Sequence, residues 1–119
     1  MRKQILVVDD DPLYIDLVRD IFAMREIDVL SSPDATAALS LLKNLTPSLI
    51  VSDFDMPEMN GLEFHSRLQE SESTKHIPFV FLTGSADISL SQYANQHRVR
   101  VFSKNNIVNE LLRLSNDLQ

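Results

Sequence analysis

Residues 48–61 read SLIVSDFDMPEMNG. The apolar run Leu49-Ile50-Val51 stops at Asp53. A short run rich in β-branched residues and bounded by turn formers reads as a buried parallel strand. That puts Asp53 at the carboxyl end of a central strand, where open α/β sheets gather ligands and chemistry. Met56-Pro57 cannot continue a hydrogen-bonded ladder, and Asn60-Gly61 supplies a turn before the next helix. The segment therefore presents a carboxylate at a strand tip and then leads the backbone away from it.

The flanking sequence alternates in the same way. Toward the amino end, Ile5-Leu6-Val7-Val8 is a second apolar run, and it ends in Asp9-Asp10-Asp11. Asp11 followed by Pro12 predicts a helix start, with Leu13, Leu17, Val18 and Ile21 as its apolar stripe. Ile27 to Leu30 gives a weaker strand signal. Ser32-Pro33-Asp34 repeats the cap-plus-proline start, and Ala35, Ala38, Leu39, Leu42 and Leu45 mark a helix that Thr46-Pro47 ends. Beyond Gly61, a helix carries Leu62, Phe64, His65 and Leu68, and a polar loop runs from Glu70 to Lys75. A strand over 77–82 leads into Thr83-Gly84. A fourth helix is expected from about Ala86, an edge strand over 99–102 and then Lys104. Asn105 or Asn106 caps a last helix, whose Leu114 and Leu118 are expected to leave an apolar patch. Five β-α repeats with short connections predict one parallel sheet with helices on both faces and every strand tip on one rim.

Composition narrows the function. The 119 residues make one domain, residues 1–119, able to bury roughly two-thirds of the unfolded chain's surface. No cysteine is present, which excludes disulfides, thiolate metal sites and cysteine nucleophiles. No run approaches the length of a membrane span, and the apolar start is too short for a signal peptide, so a cytoplasmic location away from membranes is expected. A net charge of −6 argues against direct nucleic-acid binding.

The rim then collects Asp9, Asp10, Asp53, Asp55, Thr83 and Lys104. Converging carboxylates repel one another unless a cation neutralises them. An all-oxygen set without neighbouring His or Cys points to Mg²⁺, with Asp10 and Asp53 as direct ligands, Asp9 acting through a metal-bound water, and Asp55 close enough to contribute. A carboxylate, a divalent ion, a lysine ammonium and a hydroxyl suit phosphoryl transfer, with Asp53 as nucleophile and Lys104 and Thr83 on the equatorial oxygens. Gly84 leaves room beside Thr83.

Together, the acidic pair Asp9 and Asp10, Asp53, the Met-Pro-x-Met-x-Gly run at 56–61, Thr83 and Lys104 resemble the receiver domain of the two-component response-regulator family over the whole chain. The length is that of stand-alone chemotaxis-type receivers. The resemblance implies a flavodoxin-like (βα)5 fold with strand order 2-1-3-4-5. It implies a Mg²⁺-dependent phosphoacceptor at Asp53, served by a histidine kinase or histidine phosphotransfer protein. Beyond its own phosphorylation and dephosphorylation, such a domain is not an enzyme. Thr83 would couple the phosphoryl group to the partner surface of the fourth helix, fifth strand and fifth helix.

Three departures touch that coupling. Asn105 stands where relatives usually carry a cis proline, so a trans bond or a rearranged loop is expected. Val101 occupies the usual aromatic position, and Phe102 faces the other side. Asn95-Gln96-His97-Arg98 replaces a Gly-Ala turn. Asp55 and Ser85 sit where the family tunes dephosphorylation. Two alternatives remain: a degenerate receiver acting as an interaction module, and a haloacid-dehalogenase-type phosphatase suggested by Asp53-Phe54-Asp55. Asp11 is read as only an N-cap, and His65, His76 and His97 as surface or packing residues.

Overall fold

The computed structural model describes residues 2–85 and 87–118. The strands are β1 (Gln4–Val8), β2 (Asp28–Ser32), β3 (Leu49–Asp53), β4 (Phe79–Thr83) and β5 (Arg100–Ser103). The helices are α1 (Pro12–Ala23), α2 (Ala35–Leu41), α3 (Gly61–Gln69), α4 (Ile88–His97) and α5 (Ile107–Asp117). All pairings are parallel, in the order β2-β1-β3-β4-β5. The β-α alternation predicts one parallel sheet, and this order is the flavodoxin-like topology that the family resemblance implies. Among the described residues no helix is long and apolar enough to cross a membrane.

Strand alternation sorts the core into two halves. Ile5, Val7, Leu49, Val51, Val80 and Leu82 pack with α1 and α5, joined by Phe102. Leu6, Val8, Ile50, Phe79 and Phe81 pack with α2, α3 and α4. All five residues of β3 are buried, as a strand paired on both sides and covered on both faces must be. Leu82 pairs with Phe102 and Phe81 with Val101, so Phe102 enters the α1–α5 core while Val101 lies on the opposite face, partly exposed. No cis peptide occurs among the described residues, so the Lys104–Asn105 bond is trans.

Several boundaries differ from the sequence reading. In α1 the buried stripe is Val18, Ile21 and Phe22, while Leu13 in the first turn is 67% exposed. Ser32 belongs to β2, because its backbone pairs with Val8 and extends the sheet. The α2 cap is Asp34, whose side chain accepts from the Ala37 N–H at 2.8 Å. That helix stops at Leu41, short of Leu45. Strand β4 begins at Phe79 rather than residue 77, after a proline that has no N–H for the ladder. The expected start of α4 at Ala86 lies outside the described residues; Asp87 caps the helix by accepting from Leu90 N–H at 2.9 Å. Strand β5 takes in Arg100 to Ser103. A 3-10 turn, Lys104–Asn106, precedes α5. Ser103 caps that turn, and Asn106 makes no side-chain cap to α5. Leu114 is buried and Leu118 packs on the core, so the expected terminal patch is absent.

Candidate phosphoacceptor site

Parallel pairing brings the tips of β1, β3, β4 and β5 to one rim. Register places Val8 beside Ser52 and Asp53 beside Leu82, so Asp9, Asp53 and Thr83 follow one another across adjacent strands. The backbone then fixes the acids. Asp9 N–H donates to Ser32 O at 3.1 Å, extending the β1–β2 ladder by one residue. One carboxylate oxygen of Asp9 accepts from Asp11 N–H at 2.9 Å, while Asp11 caps α1 through Leu13 N–H at 2.9 Å. The three consecutive aspartates thus have separate tasks, and Asp11 is the cap it was expected to be.

Asp9, Asp10 and Asp53 each place one carboxylate oxygen within 4.8 Å of the others. Asp9 and Asp53 are buried and Asp10 is exposed, so the cluster opens to solvent on one side. Lys104 Nζ lies 3.3 Å from Asp9 Oδ2 and 3.3 Å from Asp53 Oδ1. It also sits 4.1 Å from the centroid of the Tyr14 ring, whose face favours a cation. Sequence reading missed Tyr14. Its signal was faint: an aromatic in the first turn of the helix that follows the acidic pair.

Burial raises the Asp53 pKa to about 6, the nearby Asp9 charge adds to the rise, and Lys104 opposes both. Burial penalises the charged form of Lys104, but Asp53 and Asp9 together hold its pKa above the usual value. One ammonium does not satisfy the cluster. Asp9 Oδ2 is buried and makes no well-formed hydrogen bond, despite the lysine 3.3 Å away. A buried carboxylate oxygen with only a long ammonium contact is costly, and a hard cation is a partner that suits it. The all-oxygen donor set therefore fits Mg²⁺.

Asp55 is exposed and is not part of the three-carboxylate group; its backbone N–H donates to Asp53 Oδ1 at 3.4 Å. Thr83 is buried, and its hydroxyl donates to Ser85 O at 2.7 Å. Gly61 is held by close approach. Its N–H donates to Phe54 O at 2.8 Å, and a Cβ there would stand 2.9 Å from Asp53 O and 3.0 Å from Phe54 Cα. Among the described residues, a Cβ at Gly84 would meet nothing within 4 Å. The corner beside Thr83 is open, as the sequence reading required.

Of the three histidines, His65 is buried on α3 and was correctly set apart from the rim. Its Nδ1 shares a 2.6 Å hydrogen bond with the Tyr93 hydroxyl, and its ring meets Phe79 edge-on at 4.9 Å. The link from His65 to Tyr93 was not legible in sequence, because 28 residues separate the two.

Comparison with known proteins identifies the family. The family model described as "Response regulator receiver domain" matches residues 5–114. An uncharacterised 14.6 kDa protein from the sodA1 3′ region of Leptolyngbya boryana is 44% identical over 71% of this chain and 65% of its own length. The polar-differentiation response regulator DivK of Brucella ovis is 31% identical over 72% of this chain and 70% of its own. The chemotaxis response regulator CheY4 of Vibrio cholerae superposes with a TM-score of 0.86 over the whole of both chains, at 22% identity. The dehalogenase-type reading of Asp53-Phe54-Asp55 falls away, since the acids, the threonine and the lysine follow the receiver order on the receiver topology. The chain belongs to the response regulator receiver domain family.

Proposed function

We propose that this domain accepts a phosphoryl group on Asp53 from the phosphohistidine of a histidine kinase or a histidine phosphotransfer protein. One observation carries the reading. Three carboxylates share a rim with the Lys104 ammonium, which stands 3.3 Å from a buried Asp9 oxygen that makes no well-formed hydrogen bond. A carboxylate oxygen of Asp53 attacks phosphorus as the P–N bond to the donor imidazole breaks. The imidazole leaves with the electron pair and takes up a proton, and an acyl phosphate forms on Asp53.

Asp9, Asp10 and Asp53 would hold Mg²⁺, which when bound neutralises charge on the transferring group. Lys104 offers its ammonium to a second phosphoryl oxygen, positioned for this by the Tyr14 ring and the two aspartates. Thr83 offers its hydroxyl to a third once it releases Ser85 O. That exchange would move the loop after β4, and it is the step by which phosphorylation would change the surface seen by a partner. Val101, in place of an aromatic, leaves less bulk on this face of β5, so the output motion would rest more on Thr83 and α4. The domain would turn over no substrate other than its own phosphoryl group.

Intact mass after incubation with acetyl phosphate tests the reading. The expected result is one added phosphoryl group, dependent on Mg²⁺ and absent in Asp53→Asn. Retained Mg²⁺ binding without any mass gain would overturn it in favour of a phosphorylation-independent interaction module.

A further inference from the structure

Helices α3 and α4 enclose a second polar site at the other end of β4. A cleft of about 210 Å³ is lined by His65, Gln69, Lys75, His97 and Arg98 over a floor of Pro78 and Phe79. The chain carries a net charge of −6, yet among the described residues no carboxylate lines this cleft. Lys75, Arg98 and two histidines contribute to its walls. Such a lining repels metal cations and suits an anion.

Local structure keeps the donors in place. His97 Nδ1 lies 3.0 Å from Tyr93 O. A carbonyl can only accept, so Nδ1 is the donor there and Nε2 is left for another partner. The His97 ring stacks on Tyr93 with centroids 4.0 Å apart. Tyr93 is tied in turn to His65 Nδ1, and His65 Nε2 is 3.3 Å from the Gln69 amide nitrogen. Arg98 ends α4 in the left-handed region, with φ 57°, and its N–H returns to Ala94 O. Among the described residues the Arg98 side chain makes no ion pair. Lys75 reaches the cleft from the α3–β4 loop and pairs at 2.8 Å with Glu72, which is largely exposed and outside the lining.

We propose that this cleft binds a small oxyanion, a phosphate-type or carboxylate group, between Arg98, His97 and Lys75. Arg98 supplies a planar fork matched to two oxygens and Lys75 a point charge, with the His97 imidazole beside them. His65 forms the inner wall. Burial and the neighbouring His97 keep it neutral, and a bound anion would ease its protonation. The groups facing His65 are Gln69 on its own helix and Phe79, Phe81, Tyr93 and His97 from β4 and α4, with Lys75 across the cleft. Four residue steps of β4, roughly 13 Å, separate Phe79 from Thr83, so an anion here leaves the Asp53 rim clear. The ligand would bear on α4 through Tyr93.

Sulfate is the probe of choice, because its charge does not change across the relevant pH range. Histidine ring resonances would be followed by NMR during sulfate and acetate titrations without Mg²⁺, at constant ionic strength. Saturable shifts confined to His65 and His97 are expected. Affinity should fall roughly tenfold in Arg98→Asn, which tolerates the left-handed backbone, and fall also in Lys75→Gln. Asp53→Asn should bind unchanged. Acetate binding with sulfate rejected would assign the site to carboxylates, and the reverse to phosphate-type ligands. Shifts that do not saturate in the millimolar range, or that are equal in Arg98→Asn and the natural chain, would overturn the proposal.

Discussion

Asp53 and His65 are both buried titratable groups, and burial pushes each toward its neutral form, Asp53 up to about 6 and His65 down to about 4. Their surroundings differ. His65 has a polar neighbour at each ring nitrogen and aromatic rings around it, so it can stay neutral at little cost. Asp53 faces a second buried carboxylate and one lysine, and the Asp9 oxygen beside it has no proper donor. Burial with satisfied hydrogen bonds holds a structure together. Burial of clustered charge with too few hydrogen bonds marks a place suited to an ion or a reacting group.

The sharpest way to break this contrast is to remove the charge. Asp53→Asn should lose all acyl-phosphate formation by intact mass. Without Mg²⁺ near pH 8 it should nonetheless be more stable, by on the order of 2 kcal/mol in denaturant titrations, because a repelled buried charge is gone. If it is destabilised instead, Asp53 is held by the lysine more strongly than it is repelled by Asp9. Lys104→Ala should retain some phosphorylation and lose the conformational response, read as a change in the Thr83 and α4 resonances.

Gly61→Ala comes next, because the new methyl would collide with the Asp53 and Phe54 backbone. A loss of about 2–4 kcal/mol is expected, whereas Gly84→Ala should change stability by about 0.5 kcal/mol or less. Equal effects at the two glycines would contradict the close approach at the foot of the acidic rim.

The pH profile separates the two buried groups. A histidine whose pKa is depressed gives stability that is present above its unfolded value and lost as pH falls from about 6.5 through about 4. An aspartate whose pKa is raised gives stability present below its unfolded value of about 3.8 and lost as pH rises through about 6. The slopes oppose each other between about pH 4 and 6. His65→Gln should therefore leave a profile that falls as pH rises in this window, and Asp53→Asn one that rises, each by about 2 kcal/mol. Among the side chains around the acidic rim, the smallest effect is expected from Tyr14→Leu, about 0.5–1 kcal/mol from the lost cation–ring contact. It should appear as a slower phosphorylation rate, with the Mg²⁺-induced thermal shift retained.

Much of this was written locally. The β-α alternation, the Asp11-Pro12 start and the apolar runs ending in acids or in Thr83 specify five strand-helix units, because periodicity and caps are short-range properties. Their order placed Asp9, Asp53, Thr83 and Lys104 on one rim, since parallel strands with short crossovers must put their carboxyl ends together. Boundaries were less legible. The local pattern assigns Ser32 to a helix cap, but the sheet takes it, because pairing with Val8 depends on a strand far away in sequence.

Contact across long separations was left to the tertiary structure. It decided that Tyr14 lies under Lys104, that His65 meets Tyr93, that Asp55 stands outside the three-carboxylate cluster, and that Leu114 is core and Leu13 is not. The physical reason is common to all four. Residue type and spacing fix which face of an element a side chain leaves, but burial and partner depend on the element packed against that face. That neighbour is known only once the sheet has closed its register and the helices have settled on it.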